Sequence, residues 1–157
     1  MKQNYKSLPL RLGVGIVVLN NKNKVFVAKR IDNPKNFWQM PQGGVDKNEN
    51  FYDAAKRELK EETNIKTIKF IKEIDGFISY LLPNELLGII WRGKYKGQKQ
   101  KWFIVRFVGE EQEINIRTKN PEFRDWKWVS IDQITDKVVN FKLNVYSKIK
   151  EEVKRII

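Results

Sequence analysis

The chain has 157 residues, of which 41% are hydrophobic and 12% aromatic, so length and composition predict a folded protein with a hydrophobic core. Its formal net charge of +12 predicts an anionic partner, namely nucleic acid, a nucleotide polyphosphate or a membrane surface. Cysteine and histidine are absent from the sequence, which excludes disulfides, zinc–thiolate centres, thiol catalysis and histidine bases. Any metal site must then use oxygen ligands, which suit Mg²⁺, Mn²⁺ or Ca²⁺.

In chain order, the sequence begins with two β-rich runs around an asparagine-rich turn. They cover about 12–20 and 24–31 and predict a β-hairpin. A loop rich in Pro, Asn, Gln and Gly follows, and then a helix over about 51–63. Asn50 is a suitable N-cap for this helix, and Asp53 in its first turn favours the helix dipole.

After the helix, turn signals separate five short runs of β character, at about 67–74, 76–81, 87–95, 101–109 and 125–130. From Phe141 onward, an apolar stripe at helical spacing predicts a second helix. We therefore expect one domain over residues 1–157 with an α+β fold, in which a mixed β-sheet has a helix on each side.

The N-terminal region superficially resembles a signal peptide, because basic residues precede the apolar run from Leu12 to Leu19. No small-residue cleavage site follows this run, and a β-strand explains it better. No apolar stretch approaches the length of a membrane span. The sequence predicts a cytoplasmic protein with no membrane partner.

Three glutamates share one face of the predicted helix, because Glu58, Glu61 and Glu62 stand at positions i, i+3 and i+4. Like charges at i,i+4 repel by roughly 0.2–0.5 kcal/mol per pair, and the last turn faces the negative end of the helix dipole. A solvated acidic face held by pairs such as Arg57 with Glu61 is one interpretation, although Arg before Glu is the weaker order. We favour a site for a divalent cation, with Mg²⁺ ahead of Mn²⁺.

The stretch "GGVDKNENFYDAAKRELKEETNI", residues 43–65, resembles the signature of the Nudix hydrolases at every position but one. The exception is Asn64, where the family usually has glycine, and both residues tolerate the left-handed conformation that ends a helix. The resemblance implies a Nudix fold and metal-dependent hydrolysis of a phosphoanhydride. It also implies that the Arg of the box braces the loop through the upstream Glu, and assigns structural roles to Gly43, Gly44, Glu49 and Arg57.

Other segments resemble one subgroup, the bacterial RNA pyrophosphohydrolases and the related diadenosine polyphosphate hydrolases. They are "FWQMPQGGVD" before and into the box, "GQKQKWFIVRF" at 97–107, "PEFRDWKWV" at 121–129 and "VVNFKLNVY" at 138–146. The likeness runs from about Arg11 to Tyr146. It implies that Glu58, Glu61, Glu62 and Glu122 form the metal site, and that one carboxylate acts as the general base.

The same resemblance implies residues that contact the substrate. Arg11 and Arg30 match basic residues near the 5′ phosphates, while Phe141 and Lys142 match an aromatic–basic pair that stacks on the first base and touches the backbone. Taken alone, Phe141 could equally be a core residue at a helix start. The segment "WRGKYKGQKQK" at 91–101 is either an ordinary basic hairpin or a nucleic-acid contact, and we expect Lys99 and Lys101 to meet phosphate.

We therefore expect a monomeric enzyme that removes pyrophosphate from the 5′-triphosphate end of RNA and so initiates transcript decay. The first alternative is a hydrolase of dinucleoside polyphosphates such as Ap4A or Ap5A. The second is a catalytically silent RNA-binding module, against which the mutual repulsion of the three acids argues. The net charge favours RNA, because a small nucleotide needs only a local basic patch.

Overall fold

The computed structural model describes residues 5–157. In this range two α-helices, α1 and α2, accompany a seven-stranded sheet. The strands are β1 (Leu10–Leu19), β2 (Val25–Arg30), β3 (Gln42–Gly44), β4 (Ile68–Glu73), β5 (Ile78–Leu81), β6 (Gly97–Phe107) and β7 (Phe123–Val129). The helices are α1 (Phe51–Thr63) and α2 (Leu143–Lys154).

The sheet is mixed, and β1 lies at its centre. The strand order is β4-β6-β1-β2-β7, while β3 also pairs with β1 and β5 with β6. Strands β1 and β6 run parallel, with Leu10 opposite Gly97 and Leu19 opposite Arg106, and the other pairs are antiparallel. The predicted hairpin of β1 and β2 and the predicted α+β class are both confirmed.

The two helices cover opposite faces of the sheet, which explains why β1 reads as a continuous apolar run. On one face, Val14, Ile16 and Val18 belong to a core cluster that includes Leu59 of α1. On the other face, alternate β1 residues join a cluster that includes Ile149 of α2. Among residues 5–157, no helix has the length and apolar character needed to span a membrane.

Local sequence signals set both ends of α1. The Asn50 side chain accepts a hydrogen bond from the backbone N–H of Asp53 at 2.8 Å, as the N-cap assignment predicted. At the other end, Asn64 has a φ of 63°, and its N–H donates to the carbonyl of Lys60 at 2.9 Å. The helix therefore begins and ends where the sequence predicted.

The strand predicted over 87–95 is wrong. Four residues there have left-handed φ values that a strand excludes, namely Gly88 (79°), Trp91 (52°), Arg92 (57°) and Gly93 (69°). The segment instead forms an irregular turn, Ile90–Gly93, inside the connection from β5 to β6, with non-helical backbone angles at Trp91 and Arg92. The interpretation of 91–101 as a hairpin of its own is corrected with it.

One further strand and two element boundaries also differ from expectation. Strand β3 lies in the stretch assigned to a loop, because its pairing with β1 comes from the tertiary fold and not from strand propensity. Strand β6 begins at Gly97, earlier than predicted. The second helix starts at Leu143, after a 3₁₀ turn over Asn140–Lys142 that takes up the predicted first residues.

Candidate active site

A cleft of about 1070 Å³ opens beside β3 and α1. Its acidic side carries Glu58 and Glu62 of α1, and Glu122 contributes from the loop just before β7. Its basic and aromatic side is formed by other chain segments and carries Arg11, Arg30, Tyr80, Trp91, Phe141 and Lys142. Opposite charges thus face one shared space, which suits a ligand that bears phosphates and a cation.

The glycines of β3 allow close approach to both sides of this cleft. A Cβ atom on Gly43 would overlap the carboxyl group of Glu58, and one on Gly44 would overlap the guanidinium of Arg11. Both glycines also pair with β1, Gly43 opposite Val14 and Gly44 opposite Gly13. Any larger residue would displace a charged group from the cleft, so the double glycine has a steric reason.

Arg57 connects α1 to β3 and to the loop between them through several hydrogen bonds. Its Nε and Nη2 donate to the two carboxylate oxygens of Glu49 at 2.8 and 3.0 Å, and Nη2 also donates to the Gly44 carbonyl at 3.0 Å. Its Nη1 donates to Glu58 at 2.9 Å and to Glu61 at 3.2 Å. The hydrogen bonds that Arg57 donates to Glu49, together with the contacts to Glu58, raise the pKa of Arg57, and Arg57 lowers the pKa of Glu49.

Burial and like charge disfavour ionisation of the two acids that α1 contributes to the cleft, Glu58 and Glu62. The Glu62 side chain is buried, and desolvation, followed by the charges of Glu122 and Glu58, raises its pKa well above 4.5. Desolvation also raises the pKa of Glu58, although Arg57 opposes that change. Within the described chain, the Oε2 atom of Glu62 is buried without a hydrogen-bond partner. An unpaired carboxylate oxygen of this kind is well matched to a bound cation.

The donor set fits a hard divalent cation, since it consists of carboxylate oxygens. In residues 5–157, however, no three acidic side chains are already grouped as ligands for one ion. Repulsion between the acids and the hold of Arg57 on Glu58 and Glu61 give the physical reason. Glu61 does not line the cleft, and its side chain is 59% exposed.

Two of the predicted phosphate contacts, Arg11 and Arg30, line the cleft. The Arg11 guanidinium carbon lies 5.4 Å from the centroid of the Trp91 ring. Arg30 makes a bidentate pair with Asp32 at 2.8 and 2.9 Å and lies 4.0 Å from Glu122. Arg30 therefore links the basic side of the cleft to Glu122, which lies in the loop before β7.

The Phe141–Lys142 pair approaches Tyr80 at the same side of the cleft. The ring centroids of Phe141 and Tyr80 are 5.7 Å apart, and the Nζ of Lys142 lies 5.5 Å from the centroid of Tyr80. Lys142 is buried, and desolvation, assisted by the charge of Arg30, lowers its pKa to about 8. Among residues 5–157, Lys142 forms no ion pair with a carboxylate, and a buried ammonium group in that state favours an incoming anion.

Lys99 and Lys101 do not line the cleft. They project from β6 toward the α1 face of the sheet, where the Nζ of Lys99 lies 4.5 Å from the centroid of Phe77. Lys101 donates to the carbonyl of Gly76 at 3.0 Å and lies 3.8 Å from a carboxylate oxygen of Glu73. The structure therefore separates these two lysines from the other predicted phosphate contacts.

The sequence interpretation missed a buried polar chain beside the cleft. The Nε2 of Gln100 donates to Gln42 at 3.1 Å and to Gln98 at 2.7 Å, and the Tyr80 hydroxyl donates to Gln98 at 3.1 Å. The available signal was alternation in "GQKQKW", which places Gln98 and Gln100 on the same face as Trp102. Polar residues at buried strand positions mark such a network.

A family comparison agrees with this arrangement, since the model of the NUDIX domain matches residues 9–149. The chain belongs to the NUDIX family. The NUDIX signature at 43–65 covers the last two residues of β3, the loop over 45–50 and all of α1. Its one departure, Asn64, retains the left-handed cap conformation that the family's glycine would adopt.

Curated relatives in the NUDIX family are similar along nearly their whole length. A protein of Pelagibacter ubique (strain HTCC1062), called RNA pyrophosphohydrolase, is 66% identical over 157 residues, which cover 100% of this chain and 99% of that protein. A protein of the same name from Rhodospirillum rubrum is 44% identical over 146 residues, covering 93% of this chain and 88% of the relative.

Solved NUDIX-like structures agree on the fold. The dihydroneopterin triphosphate pyrophosphohydrolase of E. coli superposes with a TM-score of 0.71 at 20% identity, covering 93% of this chain and 99% of that one. A C. elegans Ap4A hydrolase in a binary complex gives a TM-score of 0.64 at 17% identity, covering 92% and 99%. At these identities the likeness establishes the NUDIX fold alone.

Proposed function

We propose that the protein is an RNA 5′-pyrophosphohydrolase, which removes pyrophosphate from the 5′-triphosphate end of RNA and leaves a monophosphate. The observation that carries the proposal is the cleft, in which the buried Glu62 and the partly buried Glu58 of α1 face cationic and aromatic side chains. The full-length similarity to a protein called RNA pyrophosphohydrolase supports this choice of substrate.

The acids of the cleft would hold the cation. We assign Glu58, Glu61, Glu62 and Glu122 to a divalent ion, Mg²⁺ first and Mn²⁺ as the alternative, since NUDIX hydrolases generally use divalent metals. When bound, such an ion neutralises phosphate charge and supplies Lewis acidity. Glu61 must turn from Arg57 toward the cleft to take part. The unpaired oxygen of Glu62 and its raised pKa support its place in the set.

The remaining residues would bind and orient the RNA end. Arg11 and Arg30 hold the oxygens of the triphosphate, Phe141 stacks on the first base, and Lys142 contacts the backbone. The oxygen of a water molecule then bonds to the α-phosphorus while the α–β anhydride bond breaks, and pyrophosphate leaves. Because the chain has no histidine, a carboxylate among Glu58, Glu61 and Glu122 accepts the proton of that water.

The proposal needs no second copy of the chain, because residues of one chain line the cleft. We therefore propose a monomer, and we place it in the cytoplasm, where RNA is synthesised in bacteria. The lysines that lie outside the cleft, Lys99 and Lys101, are proposed as contacts for RNA phosphates on the neighbouring surface.

Dinucleoside polyphosphates are the second candidate substrate. Two aromatic side chains on different segments, Trp91 and Phe141, line the same cleft, and each offers a ring face to a base. The first test is therefore a paired assay. Purified protein with Mg²⁺ receives 5′-triphosphate RNA and, separately, Ap4A, and chromatography resolves the products.

Faster conversion of the RNA to its 5′-monophosphate form would support the RNA proposal, and a preference for Ap4A would favour the second candidate. Turnover of neither would leave an RNA-binding module without catalysis. A chelator separates that last case, because a binding module keeps its RNA affinity without divalent cations and shows no turnover with them.

A further inference from the structure

Two lysines, one on β2 and one on β7, approach a single tryptophan beside the cleft. The Nζ of Lys127 lies 4.1 Å and the Nζ of Lys29 lies 4.8 Å from the centroid of the Trp38 ring. The Trp38 side chain also lines the cleft. We call these three residues the lysine–tryptophan cluster.

Backbone pairing fixes the geometry of the lysine–tryptophan cluster. The lysines project from neighbouring strands, where Val27 stands opposite Lys127 in the pairing of β2 with β7. The backbone N–H of Trp38 donates to the carbonyl of Lys137 at 2.8 Å, and the next residue, Gln39, pairs in both directions with Ala28 at 2.8 Å. The cluster is therefore preformed, which lowers the entropy cost of binding.

The charge of the cluster is not neutralised within the described chain. Neither Lys29 nor Lys127 forms an ion pair with a carboxylate of residues 5–157. Asp125 stands opposite Lys29 in the sheet, but its Oδ1 accepts the N–H of Trp126 at 2.8 Å instead. By contrast, Lys150 and Lys154 on α2 share Asp132.

A cation–π contact at an exposed site is weak and leaves the charge of the ammonium group in place. Two ammonium groups at one ring therefore repel each other and favour an anion between or beside them. The cluster adjoins the cleft through Trp38, which lines it, while Lys29 directly precedes Arg30 on β2 and points to the opposite face of that strand. Arg30 is the residue assigned to the 5′ phosphates.

Resting on the proposed function, we propose that Lys29 and Lys127 bind a phosphodiester of the RNA downstream of its second nucleotide, with Trp38 as the platform that holds them. A dinucleoside polyphosphate has no such phosphodiester. The cluster therefore selects substrates by length, and it favours an RNA chain over a small nucleotide that carries the same number of 5′ phosphates.

The test uses two 5′-triphosphate RNAs, a dinucleotide and an octanucleotide. The wild-type protein and the double variant Lys29→Gln/Lys127→Gln are each assayed with both RNAs. We expect the KM for the octanucleotide to rise by about tenfold while kcat and the dinucleotide kinetics stay unchanged. The slope of log(kcat/KM) against log salt for the octanucleotide should also become shallower, by about 0.7 for each RNA phosphate that the variant no longer binds.

The matched control removes two surface lysines elsewhere, Lys22→Gln/Lys148→Gln, and should leave both substrates unaffected. The charge-conserving variant Lys29→Arg/Lys127→Arg should restore octanucleotide binding. Since misfolding would depress turnover on both lengths, the dinucleotide serves as the internal control. Two results for the Lys29→Gln/Lys127→Gln variant would overturn the inference. One is an equal decrease of kcat/KM on both RNAs with an unchanged melting temperature, and the other is an unchanged kcat/KM on the octanucleotide. A wild-type protein that converts neither RNA would instead refute the proposed function.

Discussion

Arg57 and Glu49 are joined by two parallel hydrogen bonds, from Nε to Oε2 at 2.8 Å and from Nη2 to Oε1 at 3.0 Å. This fork matches the planar guanidinium to the carboxylate and fixes distance and angle together. Because Nη2 also donates to the carbonyl of Gly44, one side chain ties α1 to the strand beside Glu58. Arg57 thereby positions the acids of the cleft, although it is not itself one of the residues that line the cleft.

Replacing Arg57 by lysine should keep a positive charge but remove the fork. We expect the Arg57→Lys variant to remain folded and its turnover to fall by about a hundredfold, because small misplacements of reacting groups carry costs of that order. Steady-state kinetics and circular dichroism measure the two effects. The matched control is Arg155→Lys, whose arginine also donates to a glutamate, Glu152, at 3.0 Å but follows α2. Wild-type turnover in Arg57→Lys would contradict the positioning role.

Replacing Glu62 by glutamine separates stability from catalysis. The amide keeps the shape of the buried side chain and removes a charge that desolvation and two neighbouring acids disfavour. We expect Glu62→Gln to unfold at the same or a higher temperature without metal, to bind Mn²⁺ weakly by calorimetry, and to turn over at least about a hundredfold more slowly. The exposed Glu151→Gln on α2 is the control. Normal Mn²⁺ affinity in Glu62→Gln would remove Glu62 from the proposed metal site.

Lys142 should make stability depend on alkaline pH. Its pKa in the folded protein, about 8, lies below the ordinary value of 10.5. Between these two values the unfolded chain binds more protons than the folded one, so the free energy of unfolding should rise with pH across this window. Below the window both states are protonated, and the buried charge costs the folded state about 3 kcal/mol.

The Lys142→Met variant tests this cost. At neutral pH we expect its free energy of unfolding to exceed that of the wild type by up to about 3 kcal/mol, and its rise between the two pKa values to disappear. Urea denaturation at several pH values measures both. Lys148→Met, an exposed lysine on α2, should change neither quantity. The same Lys142→Met change should raise the KM for RNA if Lys142 contacts the backbone, so stability and binding should move in opposite directions.

The cap at Asn64 permits a graded test. Its side chain donates from Nδ2 to the carbonyl of Glu113 at 2.9 Å, in addition to holding a left-handed backbone. We expect Asn64→Ala to lower the free energy of unfolding by about 1–2 kcal/mol, since alanine has neither advantage. Asn64→Gly should cost less, because glycine tolerates the conformation and lacks only the hydrogen bond. An equal cost for both variants would show that the backbone conformation contributes nothing.

Both ends of α1 could be predicted from the sequence because the signals that set them are local. Asn50 and Asn64 act on backbone groups within a few residues, so their effect can be read without knowing the tertiary structure. The convergence of Glu58 and Glu62 follows from the same helical period. Their approach to Glu122 does not, because it depends on how β7 pairs with β2 across the sheet.

The features that the sequence did not predict correctly depend on pairing between distant segments or on the backbone conformation. Strand β3 contains two glycines with little strand propensity and exists through its pairing with β1. The apolar run around Ile89 and Ile90 imitated a strand, but the left-handed residues that follow turn the chain instead. Alternation does place Lys99 and Lys101 on one face of β6, yet only the tertiary structure shows that both side chains lie at the Phe77 ring and do not line the cleft.

The parallel pairing of β1 with β6 has a consequence for biosynthesis. Residues at the two ends of this pairing, Leu10 opposite Gly97 and Leu19 opposite Arg106, are separated in sequence by β2, β3, α1, β4 and β5. During translation β1 emerges from the ribosome long before its partner does, with one apolar edge open to other chains. We expect this late, long-range closure to limit the folding rate, so that the nascent chain depends on rapid synthesis or a chaperone until β6 arrives.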